Sequence, residues 1–275
     1  MKVSATTRVA AVAGAPIAHS LSPLIHNAWI EAAGLDAVYV AFEPGDFSAF
    51  VRAFQGGVIR GLNVTAPFKA DALAVATSAS QRSRRAGAAN LLIFESDGEI
   101  RGDNTDGEGL LAAFAEQAPG FDPAAGPVVV LGAGGAARGA VAAFIAAGAP
   151  AVRVVNRSRE AANLLASEFG SSIRVLDFEP GADALTDVNV VINATPAAPI
   201  IPLEAAPRSA VVMDMVYRPL TTPFLAQAEA LGLRTVDGLA MLIGQARPSF
   251  AALFGVPAPD VDVRALALRA LDEAR

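Results

Sequence analysis

Apolar positions in the first third of the chain fall in short runs separated by stretches of helical spacing. Arg8–Ala13, Val38–Phe42 and Val58–Val64 read as strands, because a short apolar run bounded by turn residues suits a strand covered on both faces. Between the first two, Pro23–Ala33 has the marks of a helix, with Ser22 as its cap, Pro23 at its first position and Gly34 just past its end. Asp46–Phe54 is a second helix, stopped by Gly56-Gly57, and a Pro67-initiated helix follows the third strand, so the order is β-α-β-α-β-α. Asp97-Gly98 lies between Leu91–Glu95 and Glu99–Arg101 and reads as a hairpin turn, which adds an antiparallel pair to this sheet.

A helix over Asp106–Gln117 comes next. Pro119, Gly120, Pro123, Gly126 and Pro127 then crowd together, as expected of a connector between units. Beyond it, Val128–Leu131, Val152–Val155, Ile173–Leu176, Val188–Ile192 and Val211–Met215 are apolar runs separated mostly by helical stretches, the pattern of a doubly wound parallel sheet. Helices over Leu239–Leu253 and Val263–Ala274 close the chain, and no internal repeat or low-complexity tail is visible.

Composition narrows the possibilities. A chain of 275 residues suits two modest domains, and 53% hydrophobic against 17% charged residues describes a packed protein. The net charge of -6 has the wrong sign for a nucleic-acid or anionic-membrane surface, so a small molecule is the expected partner. With no Cys there is no disulfide, thiolate nucleophile or Cys-ligated metal, and the only two histidines, His19 and His26, lack metal-site spacing and read as packed or helix-face residues. No metal is expected. Val9–Ile30 is the longest uncharged stretch, but Pro16, Pro23, Asn27, both histidines and two serines make it a poor membrane span. Lys2 and Arg8 before the apolar Val9–Ala15 faintly resemble a signal peptide; the strand reading is preferred, and with it a cytoplasmic location.

Several motifs carry candidate chemistry. Gly132-Ala133-Gly134-Gly135-Ala136-Ala137 follows a strand and opens a helix, matching the dinucleotide fingerprint with Ala137 in the third glycine's place. Its physics is a tight turn at Gly132, close backbone approach at Gly134 and a pyrophosphate on the positive end of the helix; the bland alternative is a tight strand-helix turn. The next strand ends in Asn156-Arg157-Ser158-Arg159, where a NAD-preferring protein usually places a carboxylate. Arg157 can pair with a 2′-phosphate instead, which favours NADP, unless these arginines merely open a solvated helix. Ser20 and Ser22 flank a helix entrance suited to a carboxylate, although Ser22 taken alone is a helix cap. Lys69 lies one turn into the Pro67 helix, where a cation opposes the dipole; it is either a plain exposed residue or one held for proton transfer. Gly102-Asp103-Asn104-Thr105-Asp106-Gly107 alone reads as a loop with an acidic N-cap.

Together these runs resemble the signature segments of the shikimate dehydrogenase family, in order: Ala18–Pro23, Asn63–Lys69, Gly102–Gly107, Gly132–Gly139, Asn156-Arg157-Ser158, Asn193-Ala194-Thr195, Asp214–Tyr217, Asp237–Leu242 and Gln245. The resemblance covers essentially the whole chain. It implies an N-terminal α/β substrate domain, Met1–Asn104 completed by residues from Leu239 on, and a Rossmann-type doubly wound NADP domain between them, with the active site in the cleft. It also implies reversible reduction of 3-dehydroshikimate to shikimate by NADPH, on the way to aromatic amino acids. By the same resemblance, Ser20 and Ser22 hold the substrate carboxylate with help from Tyr217, while Thr65, Asn90, Asp106 and Gln245 bond ring hydroxyls and Lys69 and Asp106 form the catalytic pair. The cofactor falls to Gly132, Ala133, Gly134, Gly135, Ala136, Asn156, Arg157, Ser158, Thr195 and Gly238. Read without the family, Asn90 is a turn residue, Gln245 a polar helix position and Tyr217 a rim aromatic.

Two positions depart from the family pattern. Pro196-Ala197-Ala198 replaces a common Gly beside the nicotinamide, and Pro248 falls early in the late helix, which is expected to kink there or to start later. Arg82, Arg84 and Arg85 read as a solvated helix face. The rivals are a quinate/shikimate dehydrogenase of broader range and a dinucleotide-binding sensor without catalysis; a glutamyl-tRNA reductase fails for want of a Cys nucleophile. Either a monomer or a homodimer is compatible with these readings.

Overall fold

In the computed structural model, residues 3–197 and 199–273 are described; Lys2 of the signal-like segment, Ala198 of the departing loop and Ala274 of the last expected helix lie outside them. The described residues divide into two compact units, one running to Thr105 and resuming at Ile243, the other spanning Asp106–Leu242.

The first unit contains β1 (Arg8–Ala13), α1 (Ser22–Ala32), β2 (Ala37–Phe42), α2 (Phe47–Arg52), β3 (Gly61–Val64), α3 (Lys69–Val75), β4 (Ser78–Ala79), α4 (Gln81–Ala86), β5 (Leu91–Phe94) and β6 (Ile100–Asp103). Its sheet has the order β2-β1-β3-β5-β6-β4, with β1 parallel to β2 and β3, and with β5 antiparallel to both β3 and β6. The hairpin turns at Gly98, whose φ of 92° only glycine adopts without strain. One sheet face buries Ala11, Ala13, Leu62, Val64, Leu92 and Phe94 against Phe47, Val51 and Ala72.

The second unit follows with α5 (Asp106–Gln117), β7 (Val128–Leu131), α6 (Gly135–Ala146), β8 (Val152–Val155), α7 (Arg159–Phe169), β9 (Ile173–Leu176), β10 (Val190–Asn193), β11 (Val211–Asp214), α8 (Pro223–Ala230) and β12 (Arg234–Val236). The strands are all parallel, in the order β12-β11-β10-β7-β8-β9. Side-chain alternation divides β7: Val128 and Val130 pack with Phe114, Val141 and Phe144, whereas Val129 and Leu131 pack with Phe224 and Leu225. The chain order brings α9 (Gly238–Phe254) and α10 (Val263–Glu273) last.

Several expectations need correction. Ser22 is not the cap of α1: Ile25 N–H already bonds the Leu21 carbonyl at 3.1 Å, so the helix starts a residue early and Leu21 holds the cap position. The Ser22 amide instead donates to Ser20 Oγ at 3.3 Å. Nor does Pro67 open α3, because Thr65 to Phe68 closes a separate turn (Phe68 N–H to Thr65 O, 3.0 Å), and Lys69 becomes the first helical residue rather than lying one turn in. The strand expected from Val58 begins only at Gly61, after positive-φ turns at Gly56 and Gly57 that leave Val58 exposed. The late helix runs unbroken from Gly238 through Pro248, starting one residue earlier than expected instead of later.

Candidate active site

The first unit holds a buried polar floor. Asn90, at the entry to β5, is 2% exposed. Its Nδ2 donates to Thr105 Oγ1 at 2.9 Å and to Gln245 Oε1 at 3.2 Å, and its Oδ1 accepts from the Thr105 amide at 2.8 Å. Three remote segments thus meet: the approach to β5, the link between β6 and α5, and α9. Thr105 leads directly into Asp106, the first residue of α5. Burying polar groups is tolerable only when they are bonded to one another, and these are. Thr65, just past β3, fits against a glycine: a Cβ on Gly14 would fall 2.3 Å from Thr65 Cγ2. Lys69 is half-buried, and its carbonyl accepts from Ala89 N–H at 2.9 Å, tying the start of α3 to the residue before Asn90.

Asn63, Thr105 and Ser249 belong to this floor and were missed as site residues by sequence reasoning. Asn63 and Thr105 lay inside quoted motifs, but nothing local marks Ser249, which reads as one more polar helix position. The arginine cluster is partly structural: Arg82 pairs with Asp103 at 2.6 Å and Arg84 Nη2 donates to the Ala79 carbonyl at 2.8 Å. Burial opposes ionisation of Asp103, but the bonds from Arg82, Ser80 and the Asn104 amide outweigh it and hold the carboxyl below its usual range.

The second unit carries the glycine turn. Gly132 has φ 117°, and a Cβ there would sit 3.0 Å from Thr195 Cγ2, so both conformation and space demand glycine. Gly134 and Gly135 are exposed, and a Cβ on either meets no atom within 4 Å, while Ala137 is buried and packs α6 onto the sheet. With Ala133 and exposed Ala136, this makes an open ledge at the N-terminus of a 12-residue helix, a fit for a pyrophosphate. At the end of β8, Asn156 Nδ2 donates to Ser158 O at 2.8 Å, Ser158 caps α7 through Ala161 N–H at 3.2 Å, and Arg157 is exposed. Arg159 pairs with Asp177 at 2.6 Å. The position after β8 thus offers an amide and a guanidinium to a ribose 2′-phosphate, and no carboxylate to repel it.

Loops beyond β10 and β11 complete this face. Asn193 Oδ1 accepts from the amide and hydroxyl of Thr195, at 3.0 and 2.8 Å, and its Nδ2 donates to Ala197 O and to Asp214 Oδ1, both at 3.1 Å. The departing Pro196-Ala197 segment is therefore closed onto the strand end. Asp214 also accepts from Val216 N–H at 3.0 Å and Thr222 Oγ1 at 2.7 Å, which anchors the loop bearing Tyr217. Burial pushes the Tyr217 phenol above its usual range, partly offset by Arg218, so it stays protonated at neutral pH. Gly238 is tightly confined, since a Cβ would lie 2.4 Å from the Met215 carbonyl oxygen. Tyr217 and Thr195 belong to the second unit, while Ser20, Ser22, Thr65, Lys69, Asn90 and Gln245 belong to the first. Among the described residues no group of His, Asp or Glu could hold a metal ion, and no helix is long and apolar enough to cross a membrane.

A parallel-sheet unit with a glycine ledge and a 2′-phosphate-compatible strand end, joined in one chain to an α/β unit with a buried polar floor, defines a dinucleotide-dependent oxidoreductase of a small polar substrate. Comparison with known proteins narrows the class. Residues 12–92 match the model of the shikimate dehydrogenase substrate binding domain, and residues 115–218 that of shikimate / quinate 5-dehydrogenase. A shikimate dehydrogenase (NADP(+)) of Caulobacter vibrioides is 56% identical over 274 residues, covering 96% of each chain. Shikimate 5-dehydrogenase from Thermus thermophilus, solved in complex with NADP(H) and shikimate, superposes with a TM-score of 0.85 at 35% identity, covering 96% of this chain and 99% of that one. A quinate dehydrogenase from Corynebacterium glutamicum, solved with NAD, gives 0.84 at 26% identity, covering 96% and 99%. The chain belongs to the shikimate dehydrogenase family.

Proposed function

We propose that the chain catalyses the reversible, NADPH-dependent reduction of 3-dehydroshikimate to shikimate, a step towards aromatic amino acids, in the cytoplasm. This reading is carried by the convergence of Asn90, Thr105 and Gln245 on one buried floor that runs directly into Asp106. Such a floor presents amides and hydroxyls to a polyhydroxylated ring, which an apolar pocket would not hold.

The roles divide between the units. Ser20 and Ser22 at the entrance of α1, with the Tyr217 hydroxyl, take the substrate carboxylate; Thr65, Asn90, Asp106 and Gln245 take ring hydroxyls. Gly132, Ala133, Gly134, Gly135 and Ala136 would hold the pyrophosphate, Asn156, Arg157 and Ser158 the 2′-phosphate, and Thr195 and Gly238 the nicotinamide side. When bound, NADPH supplies a hydride to the carbonyl carbon. Negative charge then develops on the substrate oxygen, and the Lys69 ammonium stabilises it and donates the proton that neutralises it. In the oxidative direction the neutral Lys69 amine accepts that proton. Asp106 is its catalytic partner, orienting the ring through a hydroxyl so that the reacting carbon is presented in one pose.

The test crosses shikimate and quinate with NADP and NAD under identical conditions and follows cofactor reduction. Turnover confined to shikimate with NADP supports the reading. Comparable turnover of quinate, or with NAD, replaces it by the broader enzyme that the similarity to a quinate dehydrogenase suggests. No turnover despite measurable NADP binding leaves a non-catalytic sensor.

A further inference from the structure

Behind Asn90 and Gln245 lies a second row of buried polar side chains bonded to one another and to the floor. Asn63 Oδ1 accepts from the Tyr39 hydroxyl at 2.8 Å, while its Nδ2 donates to the Asn90 carbonyl at 3.2 Å and to Ser249 Oγ at 3.0 Å. A primary amide has two N–H donors, and both of these are engaged inside the protein. Ser249 has one hydroxyl proton, which goes to the Gln245 carbonyl at 3.0 Å. Its oxygen accepts from Asn63 and shares a hydrogen bond with Thr105 Oγ1 at 3.1 Å, and Thr105 accepts from Asn90 Nδ2. Tyr39 cannot drift from this chain, because it is 1% exposed and stacked on His26 at 4.1 Å with 6° between the rings.

We propose that Tyr39, Asn63 and Ser249 are positioning residues: they brace the hydrogen-bonded network beneath Asn90 and Gln245, and so preset those two side chains for the ring hydroxyls without touching the substrate. The proposal rests on the reading of Asn90 and Gln245 as ring-hydroxyl ligands. Ser249 is the junction, joining β3, the Thr105 link and α9 through one oxygen. Its loss removes the acceptor of one Asn63 N–H and one partner of the Thr105 hydroxyl, and an unpaired buried donor draws its neighbours out of place.

The experiment uses the full chain and four variants: Ser249→Ala, Tyr39→Phe, Asn90→Ala and the double variant Ser249→Ala/Asn90→Ala. KM and kcat for shikimate are measured at saturating NADP, with KM for NADP and Tm alongside. Ser249→Ala and Tyr39→Phe should each raise KM for shikimate by roughly fivefold to tenfold, with kcat and KM for NADP within about twofold of the parent, the scale of one hydrogen bond's net worth. In the Asn90→Ala background the effect of Ser249→Ala should shrink, because part of it acts through Asn90. A lowered Tm with KM for shikimate unchanged in both single variants, or full additivity in the double variant, overturns the positioning role. An Asn90→Ala variant with unchanged KM for shikimate overturns the ligand reading itself, and the proposal with it.

Discussion

Acid should destabilise the first unit through one side chain. His26 on α1 is fully buried, stacked on Tyr39 and edge-on to Trp29 at 5.7 Å, and neither of its ring nitrogens finds a hydrogen-bond partner among the described residues. Burial penalises the charged imidazolium and lowers the pKa from 6.5 to about 3. A folded-state value below the unfolded one means that the unfolded chain binds more protons between the two. Stability is therefore complete above pH 6.5 and is lost as pH falls towards 3. The linkage amounts to about 5 kcal/mol across the whole window and about 2 kcal/mol between pH 7.5 and pH 5. His26→Phe keeps an aromatic ring in the stack and abolishes the titration. The larger ring costs about 1–3 kcal/mol at every pH, so the diagnostic is the slope and not the level. Trp29 is the chain's one tryptophan, and its fluorescence during urea unfolding reports on this unit. Between pH 7.5 and pH 5 the parent should lose about 2 kcal/mol more than His26→Phe. Parallel pH profiles for the two proteins would show that the imidazole is charged or hydrogen-bonded when folded, and would refute the reasoning.

Lys69→Ala should lower kcat by about 10²–10⁴ while leaving the NADP Kd from a fluorescence titration nearly intact; equal loss of both removes the assigned role. Arg157→Gln should raise KM for NADP by roughly tenfold and leave KM for NAD unchanged, so steady-state kinetics with both cofactors check it, and a matching rise for NAD sinks it. Gly238→Ala places a Cβ 2.4 Å from Met215 O and 2.8 Å from Val216 O, both backbone atoms. It should cost about 2 kcal/mol or more and raise KM for NADP, and a variant with parental urea midpoint and KM would show that the loop after β11 yields freely.

Most of the fold was legible because strands in a parallel sheet are written locally. β1, β7, β8, β9 and α5 have the boundaries that their apolar runs or helical spacing indicate. Among the elements that escaped, Ser78–Ala79 is only two residues long, and Arg234–Val236 lies at a sheet edge where only one residue is buried. Boundaries were lost where two local rules competed. Ser22 has the chemistry of a cap, but the Leu21 carbonyl enters the helix first, and the Ser20 hydroxyl receives the Ser22 amide. The candidate site divides the same way. The glycine ledge is contiguous and could be read directly, with Gly132 visible as a tight turn. Asn90 and Gln245 are 155 positions apart, and no local signal joins them. Their assignment came through resemblance alone, and Tyr39, Thr105 and Ser249 went unassigned because their meaning lies wholly in partners remote along the chain.

Both units solve one problem with the same kind of residue. Most of the loops that carry candidate ligands leave the carboxyl ends of strands, where the sheet no longer satisfies the backbone and nothing in regular secondary structure fixes a loop's course. Near those ends each unit buries an asparagine: Asn63 in β3 and Asn193 at the end of β10. An amide can accept and donate at once, so one side chain joins two neighbours that both need direction. Asn63 links Tyr39 to the Asn90 backbone and Ser249, and Asn193 links Thr195 to Asp214, which in turn holds Val216 and Thr222. A carboxylate at either position could not donate, and an aliphatic side chain could do neither. Substitution at these two asparagines should therefore disturb ligand affinity through the loops they hold, with Asn63→Leu weakening shikimate and Asn193→Leu weakening NADP, because each loop would keep its sequence and lose its course.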